Sequence, residues 1–141
     1  MASPSTTGPH PRPLSPHLQI WSWGPHMLVS IIHRALGVGM ALVGAPLLTW
    51  WLVAAASGAE SYAGFMDLFT TEAGGLNIVG WVLAVGLSWA VLQHMMSGIR
   101  HLVLDTGAGY ELKRNKLGAL ATMAASATLT ACYWAYVVVA K

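Results

Sequence analysis

Three long stretches of the chain carry no Asp, Glu, Lys or Arg: residues 35–59, 73–99 and 117–140. Each exceeds the roughly 20 residues that an α-helix needs to cross about 30 Å of hydrocarbon. Ala, Leu, Val, Gly and Trp run continuously through them, without the short alternating segments of a membrane β-barrel. A backbone in lipid must satisfy its own hydrogen bonds, so continuous apolar runs of this length read as helices. The pattern predicts an all-α integral membrane protein, one domain over residues 1–141 with three transmembrane helices at about 27–56, 77–104 and 117–139. Pro46 lies inside the first and is expected to kink it. Residues 1–26 hold six of the seven prolines and several Ser and Thr, which predicts an extended tail. That tail lacks the basic start and apolar core of a secretory signal.

Composition supports the same class. Hydrophobic residues make up 55% of the chain and charged residues 9%, about a third of the usual charged share. So few charges cannot cover the surface of a soluble domain of 141 residues. Disorder, a basic nucleic-acid-binding domain and most soluble enzymes are excluded. Cys132 is the single cysteine, so neither an internal disulfide nor a zinc site resting on several thiols can be built.

The net charge of +2 says little about partners, but its distribution sets an orientation. Arg12 precedes the first helix, Arg100 sits near the end of the second, and Lys113, Arg114 and Lys116 lie between the second and third. The first loop has only Glu60, Asp67 and Glu72. The positive-inside rule puts the N-terminus and second loop in the cytoplasm, with the first loop and C-terminus external. Lys141 alone dissents.

Ionisable residues within membrane helices are costly and are candidates for function. The first helix carries Ser30, His33 and Arg34, and the second carries His94, Arg100 and His101. At a rise of about 1.5 Å per residue, Ser30 to Arg34 lie roughly 5–10 Å inside the cytoplasmic edge, His101 about 5 Å and His94 about 15 Å. Helices packed together there can line one pocket. Ser30 and Arg34 are one turn apart and offer a hydroxyl and a guanidinium on one face. Such a pair suits a carbonyl or anionic oxygen. His94 and His101 are two turns apart, with Gly98 between them leaving room for a flat ring against the backbone. Imidazole is a common haem ligand, and two helices of a bundle can each supply one. Other readings stay open on these residues alone. His94 can serve as an interhelical hydrogen-bonding residue. Arg34 and Arg100 can be snorkelling anchors. His101 and Asp105 can form an i,i+4 pair.

The motifs in order are more specific. The tail reads Arg12-Pro13-Leu14-Ser15-Pro16-His17-Leu18, and the first helix opens Ser30-Ile31-Ile32-His33-Arg34 with Gly37 following. The second helix reads His94, three residues, Gly98-Ile99-Arg100-His101-Leu102, then Asp105. Nearly the whole chain resembles the cytochrome b membrane-anchor subunit family of succinate dehydrogenase, respiratory complex II. The resemblance implies that His94 is an axial ligand of haem b, with the other axial histidine supplied by a second anchor subunit. It implies that Ser30 and Arg34 bind the ubiquinone head group. His33, with Arg34, would lie near the haem propionates, and His101 near the haem. Two positions depart from the family pattern: Leu36 stands where threonine is common, and Trp21 where tyrosine is usual. Neither is among the matched ligands.

The implied partners are the second anchor, an iron–sulfur subunit on the cytoplasmic face, a flavoprotein and the lipid bilayer, without nucleic acid. The implied location is the bacterial inner membrane rather than the mitochondrial one. The chain has no Gly-rich dinucleotide fingerprint and no cysteine cluster, so flavin and succinate chemistry belong to other subunits. Alone it is not an enzyme; within the complex it is part of one. Three alternatives stay open on sequence: a fumarate reductase-type anchor, a proton or ion translocator using His33, Arg34 and His94, and a purely structural anchor.

Overall fold

A computed structural model describes residues 23–140. The expected tail over 1–26 therefore falls mostly outside the described residues, with the Arg12 motif and Trp21. Pro25 and His26 already belong to the first helix. That helix, α1 (Pro25–Gly39), runs through a π-helical turn at Met40–Gly44 into α2 (Ala45–Ala56). A short α3 (Ala59–Asp67) follows, then α4 (Ile78–Asp105) and α5 (Leu112–Val139). Three rods are long and apolar enough to cross a membrane: Pro25–Ala56 with 32 residues, and α4 and α5 with 28 each. A 28-residue helix is about 42 Å long, so its ends reach past the hydrocarbon layer.

The sequence pattern predicts a kink at Pro46. The structure places a wider turn just before it, where the Ala45 N–H bonds to the Met40 carbonyl. Proline has no N–H, and its ring crowds the carbonyl four residues back. A π turn inserts one extra residue and absorbs that conflict without ending the rod. The apolar pattern does not predict α3, because Glu60 and Asp67 interrupt it. The buried Phe65 of α3 packs edge-on against Trp50 of α2, with centroids 5.0 Å apart. α5 begins at Leu112, ahead of the expected 117. Lys113, Arg114 and Lys116 end the apolar run but are good helix formers, and a helix need not stop at the lipid boundary.

The start of α4 is stitched to the end of α3. Asn77 caps it by accepting a bond from the Gly80 N–H at 2.8 Å, while its amide donates to the Leu68 carbonyl at 2.9 Å. Gly80 presses against the Phe69 carbonyl so closely that any side chain there would collide with it.

α1, α4 and α5 pack on one another. Among the described residues the buried hydrophobic side chains are few: Val29, Ala54, Phe65, Ala90 and Ala119. The buried polar ones are Gln93 and Ser97 on α4 and Thr122, Ser126 and Thr130 on α5. Large apolar side chains point outward instead, such as Leu42, Val82 and Leu102. This distribution is the one lipid dictates. Apolar surface gains nothing by leaving lipid tails, so small residues and hydrogen bonds hold the helices together. On α5 Thr122, Ser126 and Thr130 recur every fourth residue, hence on one face. Ser126 donates from Oγ to Gln93 Oε1 at the centre of that seam.

Candidate functional site

The α1–α4 crossing brings the histidines of the two motifs together. The rings of His33 and His94 stack with centroids 3.8 Å apart and planes 10° from parallel. His94 Nδ1 lies 3.1 Å from the His33 carbonyl oxygen. A carbonyl only accepts, so Nδ1 carries the proton and donates. The lone pair then sits on Nε2, which has no hydrogen-bond partner among the described residues. His33 Nδ1 lies 2.6 Å from Ser97 Oγ on α4. His101 tilts toward His33, with centroids 6.3 Å apart and planes at 49°. His33 thus stands between His94 and His101.

Small residues permit this approach. A Cβ at Gly37 would lie 3.0 Å from His94 Cε1, tighter than normal packing. The sequence pattern assigns the role of neighbour to Gly98, on the same helix as His94. The structure sets Gly98 against His33 instead, with 3.9 Å to Cε1. Side chains on a helix lean toward its N-terminus, so His94 leans away from Gly98 and onto the facing helix.

Ser30 and Arg34 lie beside this cluster and are exposed. Neither has a hydrogen bond or ion pair among the described residues. The other basic residue, Arg100, is more than a snorkelling anchor. It bonds through Nη2 to Asn115 Oδ1, and its stem lies across Gly118 of α5. The His101–Asp105 pair does not form. The ion pair among the described residues is Glu111 with Arg114, at 3.2 Å and exposed.

Spacing within the motifs does not single out Ser97 or Gln93. Their signal is a polar pair four apart inside a charge-free run, on the face of α4 that meets α1 and α5. Ser97 bonds back to the carbonyls of Gln93 and His94, at 2.9 and 3.1 Å.

The donor set limits what the cluster can hold. No group of three or more His, Cys, Asp or Glu among the described residues is placed to enclose a metal ion. What it offers is one imidazole nitrogen, its tautomer fixed by a backbone carbonyl. That fits a metal whose equatorial ligands come from a macrocycle, with the protein filling an axial position.

Fold and site together define a small three-helix integral membrane protein with an imidazole cluster between two helices near one end. The family model for the succinate dehydrogenase/fumarate reductase transmembrane subunit matches residues 8–133, and the chain belongs to that family. It is similar to the succinate dehydrogenase cytochrome b556 subunit of Paracoccus denitrificans, 34% identical over 118 residues that cover 84% of this chain and 85% of that protein. The same-named subunit of Rickettsia felis is 29% identical over 123 residues, covering 87% of this chain and 90% of that protein. The human mitochondrial cytochrome b560 subunit is 32% identical over 101 residues, 72% of this chain and 57% of that protein.

Proposed function

We propose that this chain is the haem b-bearing membrane anchor of a succinate:quinone oxidoreductase, and that it passes electrons from an iron–sulfur subunit to ubiquinone. The observation that carries the reading is His94. Its Nδ1–H is held by the His33 carbonyl, which leaves the Nε2 lone pair without a hydrogen-bond partner among the described residues. Bound haem b supplies a one-electron redox centre within the membrane. His94 would hold it in this chain, together with a histidine of a second anchor subunit. The carbonyl bond fixes the ring and raises its basicity. His33 and Arg34 would serve the propionates, with His101, whose ring tilts toward His33, close to the same group.

Ser30 and Arg34 take the quinone head group. A quinone carbonyl gains negative charge as it is reduced, and donors already in place strengthen as that charge develops. The hydroxyl and the planar guanidinium are such donors, set near the membrane edge, where the apolar quinone tail stays in lipid. The three relatives are all named for succinate dehydrogenase, which favours succinate oxidation over the reverse reaction. The protein resides in a bacterial inner membrane and associates with the iron–sulfur and flavoprotein subunits on its cytoplasmic side. That side is the end carrying Arg100, Lys113, Arg114 and Lys116.

The test is the visible spectrum of the purified complex with His94→Leu. The reading requires loss or gross change of the low-spin b-type spectrum. An unchanged spectrum, with no other histidine in place of His94, overturns it.

A further inference from the structure

We infer that Ser97 is a positioning residue for the haem ligand, acting through His33. The inference rests on His94 as the axial ligand and adds a residue that the motif does not include. Ser97 is 2% exposed at the α1–α4 contact. Its Oγ has three neighbours: the carbonyls of Gln93 and His94 at 2.9 and 3.1 Å, and His33 Nδ1 at 2.6 Å. A hydroxyl has one proton, and a serine in a helix commonly gives it to a carbonyl three or four residues back. With the proton engaged there, the third contact is filled from the other side: His33 Nδ1–H donates to Oγ. The His33 ring is thereby fixed in tautomer and in rotation.

The fixed ring matters because of what it touches. His33 holds His94 twice, by a carbonyl that receives His94 Nδ1–H and by a ring stacked 3.8 Å from the His94 ring. The first contact is backbone and survives any change at Ser97. The second depends on the side-chain angle of His33, which Ser97 sets. Gly37 closes the Cε1 edge of His94. The plane of the axial imidazole is therefore set between Gly37 and the His33 ring, and Ser97 is the remote pin of that arrangement. Ser97 is held by its own bonds to the helix carbonyls whether or not His33 is present, which fixes the oxygen that the His33 ring meets.

The experiment uses the whole complex in membranes. Its readout is the low-spin haem electron paramagnetic resonance signal, which reports the orientation of the axial imidazole planes, with haem content per flavin measured alongside. The variants are Ser97→Ala, Ser97→Thr, His33→Ala and the double variant Ser97→Ala/His33→Ala. Ser97→Ala adds no volume and should retain haem, because the carbonyl bond to His94 remains, but with a shifted signal. Ser97→Thr keeps a hydroxyl that can bond back along the helix, and should return the signal toward wild type. The double variant should shift no further than His33→Ala, since the two residues act in series. A wild-type signal in Ser97→Ala overturns the inference. So does an additive double variant, or haem lost in Ser97→Ala but kept in His33→Ala. Failure of the haem reading itself shows separately, as a low-spin spectrum that survives His94→Leu whatever residue stands at 97.

Discussion

Adding one methyl group at Gly37 tests the geometry of the site at its tightest point. A Cβ there would lie 3.0 Å from His94 Cε1. The ring must yield by a few tenths of an ångström. It cannot do so freely, since its other face meets the His33 ring at 3.8 Å and its Nδ1–H is held at 3.1 Å. Replacing glycine by alanine within a helix is itself favourable by roughly 0.5–1 kcal/mol. Overpacking a tight contact costs about 1–3 kcal/mol. The expected balance is a penalty of about 1 kcal/mol, felt where the ligand sits, or about fivefold in haem affinity. Gly39 supplies the control. It lies on the same helix with nothing within 4 Å of the added methyl, so Gly39→Ala keeps the propensity gain without the clash. The assay is the dithionite-reduced minus oxidised spectrum per complex, over a series of detergent washes that strip weakly held haem. Gly37→Ala should lose haem earlier than wild type, and Gly39→Ala should not. Equal retention in both would mean that the contact with His94 does not set ligand position.

Ser30→Ala should remove one hydrogen bond to a group that gains charge on reduction, worth roughly 1.5–3 kcal/mol, and slow quinone reduction about ten- to a hundredfold. Arg34→Lys should lower the same activity while succinate oxidation with a water-soluble acceptor persists; a wild-type ratio of the two activities in both variants leaves only the anchoring role. Cysteines placed at exposed Lys113 and Ser61 should react with an impermeant reagent from the cytoplasmic and external sides respectively, and reaction of Lys113→Cys from outside intact cells would invert the proposed topology. Ser126→Ala should leave the fully buried Gln93 Oε1 without its donor, lowering thermal stability by roughly 0.6–2 kcal/mol, whereas the exposed Cys132→Ala should change it little.

The three rods are legible in the sequence because lipid imposes one rule on every residue that crosses it. A span must stay free of charge for about 20 residues, and soluble helices rarely do. What escapes that rule lies where the chain leaves lipid: α3 with its Glu60 and Asp67, and the basic first turn of α5. The site residues are legible as types and as turns on a helix. Their contacts are not. Gly37 and Gly98 look alike in a one-dimensional pattern, each four residues after a histidine on its own helix. Which glycine faces which histidine depends on how α1 crosses α4, and on side chains leaning toward the N-terminus of each. Each histidine lies on the glycine of the other helix. Ser97 escapes notice for a similar reason. A serine in a membrane helix satisfies itself by bonding back along the helix, and only the second helix reveals the histidine on its other side.

The contrast between satisfied and unsatisfied polar groups bears most directly on function. On the inner faces of α4 and α5, Ser97, Thr122, Ser126 and Thr130 all find partners within the chain, and Gln93 does so through Oε1 but not through its buried Nε2. At the α1–α4 edge Ser30, Arg34 and His94 Nε2 have none among the described residues. A structural anchor has one general escape from that cost, the snorkelling of a long side chain to the interface. Arg34 carries the long side chain that snorkelling needs. His94 has neither length nor position. It is eleven residues short of the end of α4 at Asp105, about 16 Å along the axis, and its ring is clamped by His33. A rigid nitrogen lone pair at that depth is reached neither by its own side chain nor by the lipid headgroups. On the reading proposed above, its partner is a ligand carried within the membrane, and a metal held in an apolar macrocycle is such a ligand.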